Sequence, residues 1–215
     1  MFPGLGPASN KHLQEISVRK LLVSLFVVVG LAIAAQAQEF DAAFGFGTVT
    51  AKAASTDSSG NFFPSLSGGL YPSFSGIVLL KRHIGFGGEV AWRAHQNFTP
   101  TSFGFIQPYR PIFYDFNAVY GRTYKKFGAD VMAGIGGEDL RFYGVLNCGG
   151  TGCTNYVSSN HFAGHFGADV RIYVWGHLFV RPEAHYYVIH NNQEFNNANA
   201  ARFAVSIGYS FMPGF

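Results

Sequence analysis

Charge is scarce in this sequence. Lys+Arg 15 and Asp+Glu 12 make up 13% of 215 residues, about half the ~25% of an ordinary soluble domain. So little charge cannot cover a water-bathed globule without leaving large apolar patches bare. Intrinsic disorder is excluded as well, because disordered chains are charge-rich and aromatic-poor. Long apolar runs are also missing: beyond residue 37 no stretch approaches 18 consecutive apolar residues, so that part of the chain has no transmembrane helix. Lysine there is confined to Lys52, Lys81, Lys125 and Lys126, and nothing points to nucleic acid as a partner. Cysteine is limited to Cys148 and Cys153, too few ligands for zinc.

What is present in excess is aromatic and glycine residues: 23 Phe, 11 Tyr, 2 Trp and 27 Gly. The N-terminus has a separate character. Arg19-Lys20 precedes an apolar run from Leu21 to Ala35, followed by Ala35-Gln36-Ala37 and then polar sequence. That order is a secretory signal peptide, so residues 1–37 are expected to be a leader cleaved after Ala37, and 38–215 a single domain. The 17 residues ahead of Val18 suggest a translation start at that valine. Removing 37 residues leaves 178 and takes Lys11, Arg19, Lys20 and Glu15, lowering the net charge from +3 to +1. In the oxidising compartment beyond the inner membrane, Cys148-Gly-Gly-Thr-Gly-Cys153 is expected to close as a disulfide.

From residue 40 onward the periodicity is two rather than 3.6. Eight strands are expected over 39–50, 69–80, 84–96, 109–121, 127–139, 159–173, 178–190 and 201–211. In the sixth, Phe162, Phe166, Ala168, Val170 and Ile172 oppose His161, His165, Gly167, Asp169 and Arg171. In the fourth, Ile112, Tyr114, Phe116, Ala118 and Tyr120 face away from Asp115 and Asn117. Only the second alternates poorly, with Ile77 and Leu79 on its polar face. Connections alternate long and short, which predicts a meander with long loops at one end and tight turns at the other.

The sense of the faces follows from composition. A soluble barrel would carry Lys, Glu and Thr on its outer face, whereas here the polar face carries Gly, Ala and Ser with isolated Asp, Glu, Arg and His. An eight-stranded barrel has an interior barely wide enough for its own side chains, so small residues are expected inside and the aromatic face is expected to meet lipid. Tyr109, Tyr120, Trp92 and Trp175 are expected in the interfacial girdles.

The leader ending Ala35-Gln36-Ala37, the eight alternating strands and the last strand Arg202-Phe-Ala-Val-Ser-Ile-Gly-Tyr-Ser-Phe211 resemble the small outer-membrane β-barrel families typified by the OmpA transmembrane domain and OmpX. The resemblance implies an all-β, eight-stranded antiparallel up-and-down transmembrane barrel in the bacterial outer membrane. It also implies outer-membrane lipid as the surrounding partner and recognition of a terminal aromatic, here Phe211, by the barrel-assembly machinery. A monomer is expected.

By parity the lumen receives Asp41, Glu89, Asp115, Asp130, Glu138, Asp169 and Glu183 against Arg93, Arg171, Arg181 and Arg202, with His95, His161, His165 and His185. In a narrow low-dielectric space such groups must pair. A plugging ion-pair network is expected from Glu89, Arg93, Asp115, Asp130, Asp169, Arg171, Arg181, Glu183 and Arg202. The alternatives are a small-solute path, ligand binding or adhesion by the long loops, and a lipid-modifying enzyme. Because like charges directly opposed destabilise a sheet, the register between strands six and seven is expected to set Asp169 opposite Arg181 or Arg171 opposite Glu183, or to neutralise them diagonally. Ser159-Asn-His161 and His185-Tyr-Tyr-Val-Ile-His190 match no catalytic motif. His161 and His165 lie roughly 13 Å apart along a strand, too far to share a metal. No catalytic residue, cofactor or metal ligand is assigned.

Overall fold

The alternation becomes a closed sheet. The computed structural model describes residues 39–81, 83–100, 106–149 and 152–211; the expected leader and its cleavage point after Ala37 lie outside the described residues. Eight long strands run as β1 (Glu39–Ala51), β2 (Tyr71–Lys81), β3 (Ile84–Trp92), β4 (Ile106–Tyr124), β5 (Phe127–Gly149), β6 (Gly152–Trp175), β7 (Leu178–Ile189) and β8 (Ala200–Ser210). Each pairs antiparallel with the next. β8 returns to β1, with Asp41 opposite Ser210 and Ala51 opposite Ala200. Closure leaves no bare strand edge in hydrocarbon, where each unsatisfied backbone group would cost several kcal/mol.

Large apolar side chains point outward all round the ring, among them Phe44, Phe74, Phe116, Ile135, Phe162 and Ile207. Trp175 is 84% exposed at the tight-turn end, where an interfacial ring sits. Phe211 lies just past β8, stacked on Phe40 at 5.2 Å.

Three elements depart from the sequence expectation. The third strand stops at Trp92, so His95 lies exposed in a loop and is not a lumen residue. Tyr109 is wholly buried rather than part of a girdle, because it sits on the inward parity of β4 with Phe113 and Asp115. The expected long loop over 140–158 is instead mostly strand, since β5 and β6 stay paired to Gly149 and Gly152. Phe142, Tyr143, Tyr156 and Val157 supply aromatic and β-branched cross-strand pairs there. Tyr143 and Tyr156 lie 5.9 Å apart, and Arg141 lies over the Tyr156 ring at 4.9 Å. Cys153 is disulfide-bonded and Cys148 is its register partner.

Two loops fold over the end opposite the tight turns. In one, Ser55–Thr56 pairs with Phe62–Phe63 across a turn in which Asp57 accepts from the backbone of Ser59 and Asn61. The Asn61 side-chain amide also donates to Asp57 at 2.9 Å, and this bond together with the Asn61 backbone one holds the Asp57 carboxyl below the usual carboxylate range. The same loop then sends Leu66 into the barrel, fully buried. In the other, a single 3-10 turn (Gln193–Phe195) buries Phe195. Asn191, Asn196 and Asn197 there take left-handed backbone, φ 56, 54 and 51, which asparagine tolerates better than most residues. The Asn-rich run 191–199 is thus a folded cap.

Candidate functional site: the barrel lumen

The lumen is built in layers, and the one nearest the tight turns centres on Arg171. Its guanidinium donates to Glu39 and Asp41 of β1 and holds Asp130 of β5 through Nη2 at 2.9 Å and Nε at 2.8 Å. The Tyr173 hydroxyl donates to Glu39 at 3.1 Å. Space for this comes from two glycines. Gly128 is directly opposite Arg171 and Gly121 opposite Asp130, and a Cβ at either would overlap those side chains.

The next layer holds two more guanidiniums. Arg181 donates from Nε to Glu183 at 2.9 Å and from Nη2 to Ser75 at 2.6 Å, with Asp169 at 3.9 Å. Arg202 bonds Glu89 and approaches Glu183 at 3.4 Å. Above it runs a polar chain. Tyr187 donates to Asp115 (3.2 Å), Asn117 donates to Asp115 (2.5 Å), and His165 bridges Asn117 (2.7 Å) to His185 (3.0 Å).

Toward the loops the filling changes from charge to rings. Phe113 stacks on Tyr187 at 4.8 Å and meets Tyr71 at 6.1 Å. Tyr109 contacts Phe195 at 5.3 Å, and Leu66, Leu140 and Ile189 join the same cluster. Each large apolar side chain buried this way contributes about 1.5–3 kcal/mol. At the rim, Asn192 donates to the buried Glu138 at 3.0 Å, Ser159 donates to Glu194 at 2.7 Å, and His161 lies 3.2 Å from Glu194. Between the middle layers lies a cavity of about 10 Å³, bordered by Glu89, Asp115, Arg181 and His185, room for about one water.

A scan against protein-family models and a search of curated proteins return no match. Solved structures do match in shape. The attachment invasion locus protein Ail of Yersinia pestis, in complex with the heparin analogue sucrose octasulfate, superposes with TM-score 0.52 at 13% identity, covering 80% of this chain and 98% of that one. Neisserial surface protein A superposes with TM-score 0.52 at 12% identity, covering 80% and 96%. The chain has the fold of the small outer-membrane β-barrels.

In this barrel the sequence-selected charges sort unevenly. Asp130 and Arg171 form the inner cluster with Glu39 and Asp41, while Glu89, Asp169, Arg181, Glu183 and Arg202 form the middle one. Asp115 joins through Asn117 and the two histidines. Arg93 stands apart from both clusters, beside Tyr71 and Tyr109. Glu39, Asn117, Ser75, Ser206 and Tyr187 were not selected, although parity with Asp41, Asp115 and Glu183 marks Glu39, Asn117 and Tyr187.

One expectation about the lumen is met through its diagonal alternative, and another is corrected. The register sets neither Asp169 opposite Arg181 nor Arg171 opposite Glu183. Asp169 instead faces Glu183 directly, and Asp130 faces Asp169. Neutralisation is diagonal, since a guanidinium two residues along the same face is long enough to reach back between the carboxylates. The lumen is also not filled by small residues alone. Rings occupy its loop-side half, while Gly134 makes room for the Asn117 side chain in the polar chain beneath them. Ile77 and Leu79 spoiled the alternation of β2 because they too pack inside, against Val119.

Proposed function

We propose that the protein is a monomeric, sealed barrel of the bacterial outer membrane, with a structural role in that membrane rather than a role as a solute pore. The observation that carries this reading is the double filling of the lumen, by ion pairs toward the tight turns and by aromatic residues and the Leu66 and Phe195 anchors toward the loops, with a cavity for about one water between. Its partners are outer-membrane lipid along the apolar band and the barrel-assembly machinery during biogenesis, with Phe211 as the terminal aromatic. The leader is removed after Ala37. Planar-bilayer recording of the folded protein tests the seal. The expected result is a silent bilayer, and steady unitary conductance from the wild type would overturn the reading.

A second role is favoured by one feature. β5 and β6 run 23 and 24 residues, where about 9–11 cross a membrane. The excess forms a paired, disulfide-tipped hairpin suited to surface contact. Cells expressing a variant with the hairpin shortened beyond Phe142 and Val157 would lose surface attachment under this reading. Unchanged attachment would leave the structural role alone.

A further inference from the structure

Glu89 on β3 and Glu183 and His185 on β7 come from opposite sides of the ring, yet place three ligand atoms within 4.8 Å of one another in the buried centre of the lumen. The hydrogen-bond chain behind them determines what His185 presents. Asn117 Nδ2 donates to Asp115, so the Asn117 carbonyl is the atom facing His165 Nδ1 at 2.7 Å. A carbonyl only accepts, so His165 donates from Nδ1 and a neutral His165 offers a bare Nε2 to His185 Nδ1 at 3.0 Å. His185 therefore donates from Nδ1, and its Nε2 is the nitrogen left to meet a proton or a metal ion. That atom is buried without a hydrogen-bond partner. It is aimed at Glu89 Oε2, 3.5 Å away, and at Glu183 Oε1, 3.9 Å away.

Two carboxylates facing one imidazole nitrogen are balanced by a proton on that nitrogen or by a metal ion in its place. The nearby charges leave room for one: Glu89, Asp115, Asp169 and Glu183 surround only two guanidiniums, Arg181 and Arg202. Arg202 takes Glu89 Oε1 and leaves Oε2 turned toward His185. A histidine whose far nitrogen is tied to an acceptor, beside carboxylates that are themselves held by donors, is the usual surrounding of a bound metal.

We propose that Glu89, Glu183 and His185 bind a divalent transition metal of the zinc class. Imidazole with carboxylate oxygen suits zinc, which takes such ligands at about 2.0–2.2 Å, so the three side chains draw together by about an ångström. The fourth position opens on the small cavity lined by Glu89 and His185. The ion would brace β3 against β7 across the lumen, a link that no backbone ladder supplies.

The test uses the full chain without its leader, refolded in detergent with and without zinc sulfate so that a sealed lumen does not exclude the ion. After dialysis, about one zinc per folded chain is expected, with a higher unfolding midpoint for the zinc-refolded sample. His185→Gln and Glu89→Gln should each weaken retention at least tenfold, with folding verified by heat-modifiable gel mobility. Should those variants fail to fold, the wild type decides through the 15N shift of His185 Nε2, which moves to the metal-bound range with zinc. The proposal is overturned if folded wild type refolded with zinc retains none, if His185→Gln retains as much as wild type, or if His185 is doubly protonated in the zinc-refolded protein.

Discussion

The two halves of the lumen solve the same filling problem with opposite chemistry. Near the tight turns, Arg171 ties Glu39, Asp41 and Asp130 together across β1, β5 and β6. Near the loops, Phe113, Tyr187, Tyr71 and Tyr109 pack with Leu66 and Phe195. The polar half depends on directional pairing, so one lost partner strands several charges. The aromatic half depends on volume, so shape matters more than identity. Strands tilted around a narrow ring bring long side chains of either kind to the axis, and which kind arrives follows from the parity of each strand.

That contrast can be broken most severely at Arg171. Arg171→Leu leaves three buried carboxylates without their cation, and a loss of about 3–5 kcal/mol is expected, read by denaturant unfolding in lipid vesicles. A loss under about 1 kcal/mol would mean that the inner half does not lean on that guanidinium. On the aromatic side, Phe113→Ala should cost about 3 kcal/mol through the cavity it leaves, while the milder Phe113→Leu should stay within about 1.5 kcal/mol. If Phe113→Leu proves as damaging as Arg171→Leu, the difference between the halves is not one of chemistry. Gly128→Val sharpens the polar side without removing a charge. Crowding Arg171 from the opposite strand should cost about 1–3 kcal/mol, and a neutral result would show that the guanidinium relocates freely. The smallest effect is expected outside both halves. Cys153→Ser should change barrel unfolding by no more than about 0.5 kcal/mol, since the disulfide lies at the tip of the β5–β6 hairpin; a larger change would tie that hairpin to the core.

Much of this was legible from parity alone. The outward position of Phe162, Phe166 and Phe116 and the inward position of Glu89, Asp169 and Arg171 follow from alternation, because successive side chains on a strand point to opposite faces. Phe113, Tyr187 and Tyr109 were equally readable, but the expectation that a narrow lumen takes only small residues hid them. Glycines on facing strands, Gly128 opposite Arg171 and Gly134 opposite Asn117, give the polar layers room that an average interior width does not reveal. The anchors Leu66 and Phe195 were less visible, since a single apolar residue in a polar loop has no periodicity to mark it. His95 was misplaced because β3 ends before the alternation does.

The sequence by itself determined the strand count, the sense of each face, the position of the tight turns and the lipid-facing surface, all consequences of a two-residue period and of scarce charge. Those are local properties, readable within one strand. Only the tertiary structure decided which carboxylates meet which guanidinium, that Asp169 faces Glu183 while Arg181 compensates from the diagonal, and that Glu89 meets His185 across the ring. Such meetings depend on register and closure, where a shift of one residue turns every side chain to the other face, and no single strand carries that information.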